Sequence, residues 1–101
     1  MIYKILQIKN RRECNYTWMS WEIAEKDFNI NDYEVIYKGN IEKEDLNQVV
    51  QIEDYLEHLF YVFNMQHPVD FKGHSLSVSD IIELDNDLYY VDSFGFKKIE
   101  E

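Results

Sequence analysis

The chain has little of the residues that most often mark a specialised chemistry. It holds one cysteine, Cys14, so an internal disulfide is excluded and a reducing compartment is the expectation. Its glycines are Gly39, Gly73 and Gly95, too few and too scattered for a glycine-rich phosphate loop, a dinucleotide fingerprint or a GxSxG elbow. The one proline is Pro68, and no low-complexity tract, repeat or linker interrupts the sequence, which reads as a single domain over residues 1–101. No apolar run approaches the roughly 18 residues of a membrane span. The opening MIYKILQIKNRR is apolar and then basic, the reverse of a signal peptide, so a cytoplasmic protein is expected. Basic residues are also short: 10 Lys and Arg stand against 20 Asp and Glu, giving a net charge of -10 and disfavouring direct binding to nucleic acid or an anionic membrane. What the chain does have is aromatic bulk, 8 Tyr, 6 Phe and 2 Trp, enough to build a core without metal or disulfide.

Hydrophobic spacing predicts an α+β domain with a mainly antiparallel sheet of four to five strands and two or three helices packed on it. Residues Ile2 to Lys9 read as a first strand. Trp18, Trp21, Ala24 and Phe28 recur at helical spacing and predict a short amphipathic helix. Tyr33, Val35 and Tyr37 alternate with Glu34, Ile36 and Lys38, a second strand stopped by Gly39 and Asn40 and paired with the first. Asp45 and Gln48 have capping-box spacing, and Leu46, Val49, Leu56, Phe60 and Phe63 continue a long helix to about Asn64, in which Glu53 and Asp54 break the apolar stripe midway and leave a kink or two shorter helices as the alternatives. Leu76 to Leu84 and Leu88 to Val91 read as strands around a turn at Asp85, Asn86 and Asp87, with a last strand near Lys97 to Ile99.

The charge is unevenly placed. Residues 1–41 carry six acidic and six basic side chains and are neutral, so the whole excess belongs to residues 42–101. Glu42, Glu44, Asp45, Glu53, Asp54 and Glu57 fall on the long helix, and Asp80, Glu83, Asp85, Asp87 and Asp92 on the hairpin. Such a distribution reads either as a solvated face that keeps a small domain soluble or as a surface that imitates phosphates and docks a basic groove. His58, His67 and His74 match no metal-ligand spacing. Ser75, Ser77, Ser79 or Ser93 with His74 and Asp80 or Asp92 supply the residue types of a triad, which coexist by chance in most domains of this length. No catalytic residue, metal ligand or cofactor is assigned, and enzyme activity is not expected.

Two segments carry a resemblance. Residues 70–85, DFKGHSLSVSDIIELD, followed by residues 89–96, YYVDSFGF, resemble the YodL-like family of small bacterial domains. The upstream segments Tyr3 to Leu6, Met19 to Ala24, Asp32 to Gly39 and Phe63 to Phe71 are similar to it as well, whereas residues 42–58 look longer and more acidic. The resemblance implies a cytoplasmic protein of low-GC bacteria, often carried on phages, plasmids and conjugative elements, and implies no known reaction. A coding bias toward Ile, Asn, Lys, Glu and Tyr agrees with that source. Within the signature, Gly73 is expected at a tight backbone turn, Ser75, Ser77 and Ser79 in side chain to backbone bonds, Gly95 at a bend between two packed phenylalanines, and Asp80 and Asp92 as caps of neighbouring amides.

The function expected is a small acidic non-enzymatic protein-binding module of a mobile element. Its partner is a host protein with a basic surface, such as a CRISPR or restriction nuclease, which it inhibits as an anti-CRISPR or DNA mimic. A host cytoskeletal, cell-shape or replication protein is the alternative partner, and a hydrolase or metal-dependent enzyme built on His74 to Asp92 is a third reading. The residues nominated for partner binding are Glu53, Asp54, Glu57, His74, Ser75, Asp80, Glu83, Asp92 and Ser93, and a homodimer is compatible with several exposed aromatics.

Overall fold

The computed structural model describes residues 1–46 and 51–100. Strand β1 (Ile2–Ile8) is apolar on both sides and lies in the sheet interior, where it pairs antiparallel with β2 (Tyr33–Asn40) and β3 (Ile81–Leu84). Strands β4 (Asp87–Val91) and β5 (Phe96–Lys98) complete one antiparallel sheet of order β2-β1-β3-β4-β5. Its faces are covered by different elements, as the alternation along β1 requires. Tyr3, Ile5, Ile82 and Leu84 pack beneath Tyr55, Leu56, Leu59 and Phe63 of helix α2 (Ile52–Met65). Leu6, Ile8, Ile81 and Tyr90 pack on the opposite face with Tyr16, Tyr33 and Ala24 of α1 (Trp21–Ala24). The α+β architecture read from the sequence is the observed one, and no described helix is long and apolar enough to cross a membrane.

Several boundaries differ from the sequence reading, each for a local reason. The long helix from Asp45 does not form. Lys43–Asp45 make a 3-10 turn in which the Asp45 carboxylate accepts from the Glu42 amide at 2.8 Å, and Leu46 is extended. Gln48 and Val49, on which the predicted capping box and stripe partly rest, lie outside the described residues. Helix α2 starts at Ile52, where the Asp54 carboxylate accepts from the Gln51 amide at 2.9 Å. Glu53 and Asp54 therefore do not interrupt a helix; they occupy its first turn, where carboxylates are favourable near the exposed amides.

The predicted amphipathic helix shrinks to the single turn of α1, because Trp18 has a left-handed backbone (φ 64) that no helix accommodates. In β2 a bulge opposite Ile5 and Leu6 adds Ile36 between paired Val35 and Tyr37. Tyr37 then joins Ile36 on the α2 side while Val35 is 52% exposed, so Tyr33, Val35 and Tyr37 do not share one face. Leu76 and Val78 lie outside any strand, and β3 begins only at Ile81. The hairpin turn is the two-residue Asp85–Asn86 (φ 51 and 74), left-handed at both positions as a type I′ turn demands, with Asp87 already paired to Leu84.

Candidate functional site

The two signature segments meet at one end of the sheet. Residues 73–80 cross from α2 to β3 with little regular structure, and buried polar side chains hold them. Gln7, 2% exposed on β1, donates from Nε2 to the His74 carbonyl at 2.8 Å and accepts from the His74 amide at 3.3 Å. The same Nε2 reaches Asp80 Oδ2 at 3.3 Å. Asp80 is 2% exposed, and its Oδ2 accepts from the Ser77 amide at 2.9 Å. Burial pushes the Asp80 carboxyl up to about 7, against the opposing pull of the Ser77 and Gln7 hydrogen bonds and of Arg11. His74 Nδ1 lies 2.7 Å from the Ser75 carbonyl, which makes it a donor to that oxygen, and burial lowers the ring's basicity. Its Nε2 is buried without a hydrogen-bond partner.

Ser79 and Asp92 tie this loop to the opposite face. Ser79, buried at φ 87, accepts through Oγ from the Trp18 amide at 2.9 Å and through its carbonyl from the Tyr33 hydroxyl at 2.6 Å. Asp92 Oδ1 accepts from the amides of Trp21 at 3.1 Å and Ser93 at 2.7 Å. Ser79 and Asp92 are thus committed to backbone amides, whereas Asp80 Oδ2 is the carboxylate oxygen near His74, 3.8 Å from its Nδ1. No three His, Cys, Asp or Glu side chains gather at metal-binding distance among the described residues.

The glycines act differently from the expectation. Gly73 has no positive φ; a Cβ there would meet Gln7 Oε1 and come within 2.7 Å of Ile36 Cγ2, so the position demands a close approach and not a turn. Gly95 does bend the chain (φ 68), but Phe94 before it is 96% exposed, and only Phe96 packs, edge to face with Phe60 at 6.2 Å.

Beneath this junction lies a groove of about 480 Å³. Its floor and walls are Phe60, Val78, Val91 and Phe96, and Glu57, Ser77, Asp92 and Ser93 supply its polar atoms. An adjoining recess of about 350 Å³ shares Phe96 and is bounded by Glu53, Leu56, Tyr89 and Lys98. Both fall within the size range of ligand and side-chain pockets; the groove is mostly apolar with a few placed polar groups, and the recess mixes apolar side chains with Gln51, Glu53 and Lys98.

The nominated residues divide accordingly. Glu57, Asp92 and Ser93 line the groove, and Glu53, one helical turn before Glu57, lines the adjoining recess. Asp54 caps α2, His74 and Asp80 face Gln7, and Ser75 is exposed beside them. Glu83 stands apart, 3.5 Å from Lys4 Nζ across β3 and β1. Gln7 was not singled out in the sequence, and Phe60 and Phe96 were read there as packing residues and not as part of a site. The one signal for Gln7 is an amide side chain between Leu6 and Ile8 in a strand whose other residues, Lys4 apart, are apolar or aromatic.

The model of the YodL-like domain matches residues 2–101. No curated protein and no solved structure matches the chain.

Proposed function

The chain belongs to the family of YodL-like domains; from its groove and charge we propose that it is a stoichiometric protein-binding module that docks a host protein through the acid-rimmed apolar groove. The observation that supports this reading is the groove itself, built where residues 77–78 and 91–96 of the signature meet Glu57 and Phe60 of α2. A protein segment with an apolar side chain suits the space between Phe60 and Phe96, and a Lys or Arg beside it suits Glu57 and Glu53. The charge serves the groove more than a phosphate-like lattice. Asp54, Asp80 and Asp92 accept from backbone amides, and Glu83 faces Lys4. Glu53 and Glu57 are the nominated acids left facing solvent beside the groove.

The module acts in the cytoplasm of a bacterial host, and the first partner class is a nuclease of a defence system, whose nucleic-acid channel presents Lys and Arg. The net charge of -10 speeds such an encounter. Affinity capture of the tagged protein from host lysate, at low and then moderate salt, tests the reading. One basic protein is expected to elute as salt rises and to be lost in the double variant Glu53→Lys, Glu57→Lys while the variant's thermal unfolding stays unchanged. Equal retention by the variant would remove the acidic rim from the account, and a filament or cell-shape protein in the eluate would redirect the partner class.

A further inference from the structure

The backbone around Trp18 is held at many points, yet the Trp18 side chain is not. Tyr16 donates to Asp32 at 2.6 Å, Thr17 Oγ1 to the Arg11 carbonyl at 3.0 Å, and the Tyr90 hydroxyl to the Met19 carbonyl at 2.6 Å. The Trp18 amide is bound by Ser79 Oγ, itself on a left-handed residue. Between these anchors Trp18 adopts φ 64, a conformation that crowds the Cβ of a bulky residue and that Gly or Asn adopts more easily. Folding gains little from the indole in return, since it is 60% exposed with the Arg11 guanidinium over its ring at 5.7 Å. Trp21, three residues on, shows the alternative: its ring packs against Phe28 at 5.2 Å and Tyr90 at 5.0 Å. A strained backbone that presents a large aromatic to solvent marks an interaction site more often than a structural one.

Its position links it to the groove. Ser79, which binds the Trp18 amide, follows Ser77 and Val78 of the groove wall, and Asp92 of the same wall binds the Trp21 amide. We propose that Trp18 is a second anchor for the partner that the groove takes, a protein segment carrying an apolar side chain next to a Lys or Arg. This rests on the docking reading given above: the charged side chains of the groove itself, Glu57 and Asp92, are acidic beside Phe60 and Phe96 and fix the partner's chemistry there as basic and apolar, while Lys98 in the adjoining recess and Arg11 over the Trp18 ring leave the apolar contact to Trp18.

The test uses a random 12-residue peptide library displayed on phage and selected on the immobilised full-length chain. Enriched peptides are expected to pair an aromatic or aliphatic residue with Lys or Arg, and to bind Trp18→Asn at least tenfold more weakly. Trp18→Asn itself is expected to melt at the same or a higher temperature than the parent, because Asn tolerates φ 64. Trp18→Gly provides the second variant and is expected to lose the peptide in the same way. An enriched peptide that binds both Trp18 variants as tightly as the parent, yet is lost in Glu57→Lys, overturns the anchor while leaving the groove. A melting temperature lowered in both variants makes Trp18 structural and also overturns it. No enrichment, or peptides lacking basic residues, overturns the docking reading itself.

Discussion

At the scale of single residues, Asp80 carries the clearest consequence. Its folded pKa of about 7 lies above the ordinary carboxylate value of 3.8 because burial disfavours the charge. The stability it contributes is therefore fully present below the ordinary value and is lost as pH rises from about 4 through 7. His74 acts in the opposite sense: its lowered pKa favours folding as pH rises toward the ordinary imidazole value, so the parent protein shows the two effects superposed. Asp80→Asn removes only the first. Thermal unfolding from pH 4 to 8 should show the variant gaining on the parent across that window and then holding a constant offset; parallel curves would refute the buried charge. Gly73→Ala should destabilise by roughly 1 to 3 kcal/mol in urea unfolding, since the added methyl meets Gln7 and Ile36. The sequence marked Gly73 and Asp80 as special through the signature. It gave no sign that both answer to Gln7, some seventy positions away on β1, because that contact exists only once β1 and β3 pair.

At the scale of elements, apolar period and turn residues made the strands legible, and polar capping decided the helices. Alternation located β1, β2 and the β3–β4 hairpin, and the Asp-Asn pair supplied a turn that needs two left-handed residues. What alternation could not show is the extra residue at Ile36, because a bulge leaves the pattern of residue types intact while shifting which face each one meets. Helix α2 was found but begun too early. The stripe continued back to Leu46, whereas Asp54 selects the start by capping Gln51. Asp54→Ala should then lower stability by about 1 kcal/mol, measured by chemical denaturation, with Glu53→Gln nearly neutral. A loss at Asp54 no larger than at Glu53 would contradict that start.

At the scale of the whole molecule, one sheet is covered on opposite faces by α2 and by the Tyr16–Phe28 region, and the signature closes one end of it. The two signature segments were visible in the sequence as separate strings. Their convergence with Phe60 of α2 into a groove is a property of the antiparallel β3–β4 pairing, which brings residues 77–80 beside Val91 and Asp92. The acidic excess was equally visible, but its division was not: in the folded chain most nominated acids serve amides or a lysine, and Glu53 and Glu57 rim the groove. Hydrogen–deuterium exchange on the captured complex tests the central claim most directly. The account predicts slowed exchange on binding over residues 57–60, 77–78 and 91–96, with the outer edge of β2 unchanged. Protection confined to β2, with those three segments exchanging as in the free protein, would contradict it.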